Sequence, residues 1–417
     1  MGSNPTTSLI TVKDKKYFSW ILYDWANSAY ATIVLAGFFP IIFADYYATS
    51  FSESQRTLVL GISNSTASLL LILFAPFLGI IADKKNNRKT FLIFFAFLGI
   101  SSTLFLVLIE KDSWALASIF FSVSILGFMF SNIFYDSMLL SFKKKNTYDS
   151  ISSYGYALGY LGGGISFVLS ILFLLYFKES NFDLIINKKI VFIFASFWWL
   201  FFMIPLIIFW KESNENKSIN KGGITKTFKD IKSNKKLLLF LFSYWIYIDG
   251  VDTIIRMAVN YGLTIGFTPD HLLLALVITQ FVSFPGTLLM NKIASLKTTE
   301  FSIIVCLFVY IVITFIAYNL KTIYDFYLIA VLIGIVQGGI QALSRSYYST
   351  LMPRNRSSEF FGVYNMLGKF AALLGPLLVG LVTYMTDSSR LGIFSVSLFF
   401  IIGLYLFMKQ QKIPATK

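Results

Sequence analysis

Residues 190–210 read IVFIFASFWWLFFMIPLIIFW, residues 211–236 read KESNENKSINKGGITKTFKDIKSNKK, and residues 237–262 read LLLFLFSYWIYIDGVDTIIRMAVNYG. Each flanking run is long and apolar enough to cross a bilayer, which requires roughly 20 mostly apolar residues. The segment between them carries eight lysines and lies near the middle of the 417-residue chain. A polar linker at the midpoint predicts two membrane-embedded halves of similar size.

Working outward from this linker gives six apolar runs on each side, numbered here as spans 1 to 12. They cover 18–47, 57–82, 90–110, 114–141, 149–177, 190–210, 237–262, 269–291, 300–319, 324–349, 357–385 and 391–409. Only 13% of residues are charged, against roughly 25% in soluble domains. We predict an all-α integral membrane protein with twelve transmembrane helices. The predicted domains are an N-terminal six-helix bundle at 1–210, a cytoplasmic linker at 211–236 and a C-terminal six-helix bundle at 237–417.

The formal charge of +14 follows from the placement of lysine and arginine. Of the 35 basic residues, 25 lie on the side that holds the N-terminus, 7 lie on the opposite side and three lie within spans. By the positive-inside rule both termini are cytoplasmic. The charge therefore requires no nucleic-acid partner. We expect a bacterial-type plasma (inner) membrane.

The chain has one histidine, His271, and one cysteine, Cys306. This composition leaves no basis for a histidine-built metal site or an internal disulfide, and no phosphate-binding Gly-x-x-x-x-Gly-Lys-Ser/Thr loop occurs. We therefore predict a protein that is not an enzyme and holds no cofactor or metal. A protease-like dyad of Asp24 and Asp249 is a remote alternative.

Ionisable residues within spans are functional candidates, because each costs several kcal/mol unless it is paired or hydrated. The candidates among them are Asp24, Asp136, Asp249, Asp252, Arg256, Arg345 and Lys369. Asp252 and Arg256 are four residues apart in span 7, so they can form an ion pair. That pair could lock span 7 to its neighbours or take part in transport. Without a histidine in any span centre, proton coupling would have to use Asp24, Asp249 and Asp252, and we expect protons rather than sodium.

Neutral polar residues fall at similar depths in the spans. Singly, interhelical hydrogen bonding explains them, at about 0.6 kcal/mol each. Together with charges of both signs they predict a polar central cavity for a zwitterionic solute. The predicted substrate-binding residues are Asn27, Tyr30, Asp249, Asp252, Arg256, Gln337, Gln341, Tyr364, Asn365 and Lys369.

The two halves share a short internal repeat. Tyr23-Asp24-Trp25-Ala26-Asn27-Ser28 in span 1 corresponds to Ile248-Asp249-Gly250-Val251-Asp252-Thr253 in span 7. Internal repeats are typical of alternating-access carriers. Gly375-Pro376 in span 11 can serve static packing or a kink.

The segment Gly79-Ile-Ile-Ala-Asp83-Lys-Lys-Asn86-Asn87-Arg88-Lys89 resembles the signature of the major facilitator superfamily between spans 2 and 3. The resemblance implies that Asp83 and Arg88 act in gating. We also predict a gating role for Asp136 and Arg345, which lie near the cytoplasmic ends of spans 4 and 10. Asn86 and Asn87 stand where the family carries a glycine and its first arginine.

Four further segments carry a closer resemblance. They begin at Tyr23-Asp24-Trp25, Asp249-Gly250-Val251-Asp252, Gln337-Gly338-Gly339 and Glu359-Phe360-Phe361-Gly362. Together they resemble the unidentified-major-facilitator family, which includes the autophagy-related vacuolar amino-acid effluxers. The resemblance spans both halves and implies a twelve-helix carrier of the major facilitator fold, with two pseudo-symmetric bundles.

We therefore predict a secondary active transporter, a symporter of an amino acid or related metabolite, that works by alternating access as a monomer in the lipid bilayer. An exporter or flippase of an amphiphilic drug-like or lipid-linked substrate is the alternative. A non-transporting membrane receptor is a more remote one.

Overall fold

A computed structural model describes residues 15–142, 147–178, 184–212 and 223–413. Over these ranges, twelve helices are long and apolar enough to cross a membrane, which confirms the predicted all-α membrane fold. Some spans consist of more than one α-helical segment, and one further helix lies in the linker. The α-helical segments are Lys15–Ala29, Phe39–Ile42, Glu53–Lys85, Arg88–Leu108, Trp114–Met138, Tyr148–Lys178, Leu184–Phe209, Ile224–Ser233, Lys235–Ile265, Pro269–Leu296, Thr299–Tyr318, Ile323–Leu351, Ser357–Thr386, Ser389–Ser395 and Ser397–Gln411. Single 3₁₀ turns lie at Leu139–Ser141 and Arg354–Arg356.

Local sequence explains several of the span ends. Span 2 begins at a capping box in which Ser52 and Gln55 exchange side chain–backbone hydrogen bonds, and Thr322 starts span 10 in the same way. Span 2 ends at Asn86, which adopts a left-handed conformation with φ 50°. Asparagine tolerates this conformation better than most residues, although glycine is the more common choice. Asn86 therefore replaces the family's glycine and keeps the turn.

Span 1 departs from a regular α-helix. Its α-helical start, Lys15–Ala29, continues as a π-helix over Tyr30–Phe38, and a second π-helical stretch covers Phe43–Tyr47. A π-helix this long is uncommon. The sequence predicts one continuous span here and gives no sign of the change in winding.

The spans pack in two sets of six and meet along a seam. In the first half span 1 packs on spans 5 and 6, and in the second half span 7 packs on spans 11 and 12. Across the seam span 2 contacts span 11, span 4 contacts span 11, and span 5 contacts spans 8 and 10. Aromatic stacks fill both interiors, such as Phe39–Phe121 with ring centroids 3.6 Å apart and Tyr310–Phe400 at 4.8 Å.

The linker contains a helix that the sequence analysis does not predict, Ile224–Ser233. Its Thr227 and Ile231 are buried, whereas Lys229 and Lys232 are exposed. This linker helix lies against the ends of spans 2 and 7. We call that end of the molecule the basic side, because the sequence places most of the lysine and arginine there.

Candidate functional site

A cluster of buried charge lies where the two bundles meet near the basic side. Arg345 of span 10 places Nη1 2.9 Å from Oδ1 of Asp136 in span 4 and 3.8 Å from Oδ2 of Asp24 in span 1. The arginine side chain is 2% exposed, and those of Asp136 and Asp24 are 10% and 13% exposed. These three residues come from separate spans, and the fold brings them together across the seam.

Polar neighbours hold the guanidinium in one position. Its Nε donates to Oγ of Ser152 at 2.8 Å, and its Nη2 donates to the Ser152 carbonyl at 3.0 Å. Ser152 in turn donates to the carbonyl of Ala342 at 2.7 Å. Asn365 of span 11 donates to Oδ2 of Asp136 at 3.3 Å. The network therefore joins spans 1, 4, 5, 10 and 11, with Arg345 at its centre.

Three aromatic rings enclose the same guanidinium. Cζ of Arg345 lies 4.3 Å from the ring centroid of Tyr156, 5.0 Å from that of Trp20 and 5.3 Å from that of Tyr135. Trp20 and Tyr135 stack on each other with centroids 4.3 Å apart. A desolvated cation–π contact stabilises by about 2 kcal/mol. The Tyr135 hydroxyl also donates to Oδ2 of Asp24 at 3.0 Å.

The cluster contains two carboxylates and one guanidinium. If both carboxylates were ionised, the site would carry a buried net negative charge, which is costly away from water. Asp136 accepts hydrogen bonds from Arg345 and Asn365. Asp24 accepts one from a neutral tyrosine hydroxyl, and its distance to Arg345 is longer. Asp24 is therefore the carboxylate whose ionised form is less well stabilised.

A second charged contact crosses the seam between spans 2 and 11. Oδ1 of Asp83 lies 2.9 Å from Nη2 of Arg88 and accepts the backbone N–H of Ser358 at 3.2 Å. Oδ2 accepts the backbone N–H of Glu359 at 2.9 Å. A carboxylate at a helix N-terminus is stabilised by the helix dipole. A Cβ at Gly79 would lie 2.6 Å from the carbonyl carbon of Ser358, so this close approach depends on glycine.

The same turn of span 11 binds the linker helix. The Glu359 side chain, which is fully buried, accepts a hydrogen bond from Nε of Arg356 at 2.8 Å and another from Thr227 of the linker helix. Arg356 also donates to Thr227 and pairs with Asp230. The linker helix is thereby bound to the residues that Asp83 contacts from the other side.

Asp249 in span 7 contacts backbone. Its Oδ1 accepts the N–H of Gly375 in span 11 at 2.9 Å and the hydroxyl of Thr253 at 3.4 Å. The residue is 1% exposed. Asp24 and Asp249 thus have separate partners and do not form the carboxylate pair that a protease dyad would need.

The ion pair that helical spacing permits between Asp252 and Arg256 is absent, because no ion pair within 4.0 Å involves either residue in the described ranges. Arg256 is exposed, so its long side chain can reach a polar environment without a partner on span 7. Lys369 of span 11 is a charged neighbour of Asp252. Both Asp252 and Lys369 are partly exposed.

Two predicted substrate contacts lie inside the first bundle. Asn27 donates to Oδ1 of Asn132 at 2.6 Å, and the Tyr30 hydroxyl lies 2.7 Å from that of Ser124. Both pairs join spans 1 and 4. Interhelical bonding accounts for these residues in this structure, and a substrate contact for them stays a prediction.

The remaining polar candidates lie in spans 10 and 11. Gln341 accepts from the Tyr160 hydroxyl of span 5 at 2.7 Å, across the seam. Oε1 of Gln337, one turn away, is buried without a hydrogen-bond partner in the described part of the chain. The Tyr364 ring stacks on Tyr244 with centroids 4.1 Å apart. Oε1 of Gln337 is therefore available to accept a hydrogen bond from a bound ligand.

Several residues of the charge cluster are missing from the sequence prediction. Tyr135, Tyr156 and Ser152 contact Arg345. Tyrosine and serine are common in these spans, and no sequence pattern distinguishes these three residues from the others. Tyr135 does precede Asp136 directly, which is the one available sequence signal.

Comparison with known proteins places this geometry in context. Residues 12–412 match the family model described as "Vacuole effluxer Atg22 like". The uncharacterized MFS-type transporter YxiO of Bacillus subtilis is 36% identical over 404 residues, covering 94% of both chains. Autophagy-related protein 22 of Kluyveromyces lactis is 26% identical, covering 78% of this chain and 74% of its own.

Similarity to solved structures extends over the whole fold. The proton:xylose symporter XylE, a major facilitator superfamily protein, superposes with a TM-score of 0.73 at 11% identity. The match covers 97% of this chain and 96% of XylE. At this identity the likeness concerns the fold alone, and it agrees with two pseudo-symmetric six-helix bundles.

Proposed function

The chain belongs to the Atg22-like vacuole effluxer family of major facilitator transporters, and from this premise we propose that it carries a small zwitterionic solute, an amino acid or related metabolite, by proton-coupled alternating access. It works as a monomer in a bacterial plasma membrane, with both termini and the basic side in the cytoplasm. The excess of lysine and arginine on that side supports this orientation.

The Arg345 cluster is the observation that carries the proposal. Arg345 belongs to the second bundle, whereas Asp24 and Asp136 belong to the first. The cluster, together with the Asp83 contact to span 11, therefore closes the seam on the basic side. Alternating access requires the two halves to rock about a central site, so these contacts have to break for the basic side to open.

The imbalance of charge in the cluster supports proton coupling. Opening the seam separates Arg345 from two carboxylates, and each charge left alone in a low-dielectric site is destabilising. A proton on Asp24 removes one of those charges, because Asp24 has the weaker set of partners. Proton uptake and release at Asp24 would then change the free energy of opening the basic side.

The carboxylate of Asp252 and the ammonium of Lys369 support a zwitterionic substrate. They are opposite charges near the middle of spans 7 and 11, partly exposed and not in an ion pair within 4.0 Å in the described ranges. An amino acid would place its ammonium toward Asp252 and its carboxylate toward Lys369. The unpaired Oε1 of Gln337 supplies a further acceptor for the ammonium.

The test begins with the purified full-length protein and the twenty amino acids at pH 5.5 and pH 7.5. A ligand that binds the folded state raises the melting temperature by mass action, so we expect a subset of amino acids to do so. The best stabiliser is then offered, radiolabelled, to proteoliposomes with and without an inward proton gradient. We expect uptake that the gradient increases.

Lys369→Met is the diagnostic variant, and Lys297→Met, an exposed lysine beyond the end of span 8, is its matched control. We expect the first to lose binding and uptake and the second to keep both. Stabilisation by amphiphilic drug-like compounds alone, unchanged by Lys369→Met, would instead favour the amphiphile exporter. Stabilisation without solute flux would favour a receptor.

A further inference from the structure

Asp249 makes an unusual contact for a carboxylate in the middle of a membrane span. Its Oδ1 accepts hydrogen bonds from the backbone N–H of Gly375 and from the Thr253 hydroxyl. Its other oxygen, Oδ2, is buried and has no hydrogen-bond partner in the described ranges. The side chain therefore binds the backbone of another helix through one oxygen and leaves the second oxygen open.

The contacted peptide lies at a weak point of span 11. Pro376 follows Gly375 inside the helix Ser357–Thr386, and proline supplies no N–H to the carbonyl four residues before it. A Cβ at Gly375 would overlap Oγ1 of Thr253 and lie 2.7 Å from Oδ1 of Asp249. Only glycine at this position lets spans 7 and 11 approach closely enough for the hydrogen bond.

We propose that Asp249 is a positioning residue: its carboxylate fastens span 11 to span 7 at the Gly375–Pro376 break, and proton uptake at Oδ2 loosens this attachment. This deepens the proposed function, on which it rests, by assigning Asp249 to a hinge and not to the substrate. Hydrogen bonds to an ionised group are roughly twice as strong as neutral ones. Protonation at Oδ2 removes the negative charge of the carboxylate, while Oδ1 still accepts the Gly375 N–H and the Thr253 hydroxyl. The hydrogen bond between spans 7 and 11 therefore weakens.

The charged surroundings of Asp249 leave it free to change protonation state. Its charged neighbours on its own helix are Asp252 and Arg256. Lys369 of span 11 is a charged neighbour of Asp252 instead. Span 12 packs against this part of span 7 with Phe399 and Phe400 around Gly250. None of these neighbours makes an ion pair with Asp249 within 4.0 Å.

Backbone hydrogen exchange of the full-length protein in nanodiscs, without substrate, tests the hinge directly. Peptides covering 374–386 are compared at pH 5 and pH 8 after correction for the intrinsic exchange rate. We expect about tenfold less protection at pH 5, the size of effect expected when a hydrogen bond to a charged acceptor becomes one to a neutral acceptor. Equal protection at the two pH values would overturn the proposal, and this comparison needs no variant.

Asp249→Asn removes the charge and keeps an oxygen acceptor. We expect its protection over 374–386 to be low and equal at both pH values, while an amino acid that stabilises the wild type still stabilises the variant. Asp270→Asn, at an exposed aspartate in the first turn of span 8, is the control and should keep the wild-type pH dependence of exchange. Loss of ligand stabilisation in Asp249→Asn with normal exchange would show that Asp249 binds substrate instead. Absence of transport in the wild type would count against the proposed function and leave the exchange result to decide the hinge.

Discussion

Arg345 is the side chain on which the basic-side closure depends most. Its guanidinium uses all three nitrogens, donating to Asp136 and to the hydroxyl and carbonyl oxygens of Ser152, and three aromatic rings surround it. Replacing one member of a buried ion pair leaves an uncompensated charge, which costs about 3–5 kcal/mol. Breaking an exposed ion pair lowers the stability of a protein much less, by about 0–1 kcal/mol.

Arg345→Met is therefore expected to lower the melting temperature of the purified protein strongly. The double variant Arg345→Met with Asp136→Asn removes the orphaned charge as well, so it should recover part of the loss. Thermal melting followed by intrinsic fluorescence checks both. A double variant whose loss equals the sum of the two single losses would contradict a direct pairing.

Asp24→Asn separates proton coupling from transport itself. The amide can still accept the Tyr135 hydroxyl bond but cannot exchange a proton. We expect solute exchange between equal concentrations on both sides to continue, because it needs no net proton movement. Gradient-driven accumulation should be lost. Proteoliposome assays measure both, and retained accumulation would show that Asp24 does not carry the coupling proton.

The sequence identifies charged residues at this scale but not all of their partners. Arg345, Asp136 and Asp24 stand out because charges are rare in apolar spans. Asp249 stands out for the same reason, yet its partner is a backbone N–H of a distant helix, which no side-chain pattern can reveal. The ion pair that helical spacing permits between Asp252 and Arg256 does not form within 4.0 Å, because spacing allows such a contact without requiring it when one partner is exposed.

At the scale of elements, the close approach of spans 2 and 11 depends on Gly79. Gly79→Ala adds a methyl group where the backbone of Ser358 already lies. We expect the helices to separate and the amides at 357–361 to exchange faster, by about tenfold or more. Gly61→Ala in the same span is the matched control, because a Cβ there meets nothing within 4 Å. Equal amide exchange at 357–361 in the two variants would show that the approach of spans 2 and 11 does not depend on Gly79.

The linker helix is the second element whose attachment can be tested. Thr227→Ala removes a buried hydroxyl that bonds both Glu359 and Arg356, and leaving such groups unsatisfied costs about 1–3 kcal/mol. We expect faster hydrogen exchange over 224–233 in this variant. Thr225→Ala, at an exposed position of the same helix, should leave exchange unchanged. A linker helix with wild-type protection in Thr227→Ala would show that these bonds do not hold it.

Hydropathy predicts the positions of the membrane helices well, because the bilayer imposes both length and composition. It does not predict the π-helical winding of Tyr30–Phe38, since the mean hydropathy of a segment does not depend on how the helix is wound. It also misses the linker helix Ile224–Ser233, whose polar sequence resembles a loop until Thr227 and Ile231 are buried against the spans.

At the scale of the whole molecule, two layers of charge connect the halves on the basic side. Asp83 reaches the start of span 11, and Arg345 reaches spans 1 and 4. The midpoint linker and the short repeat predict two matched halves. They cannot predict which state of the transport cycle the protein adopts, because one sequence serves every state. The closed seam on the basic side is therefore seen only in the structure and could not be predicted from the sequence.

The distance between the two halves on the basic side shows whether the Arg345 cluster holds that side closed. Spin labels are attached at Lys84→Cys and Lys297→Cys in a Cys306→Ser background, with a second pair at Lys111→Cys and Lys321→Cys on the opposite side; all four lysines are exposed. We predict one short basic-side distance at pH 8 without solute. A longer population should appear with the stabilising amino acid at low pH and in Arg345→Met, while the opposite pair moves closer. A basic-side distance that stays constant under all these conditions would contradict the account.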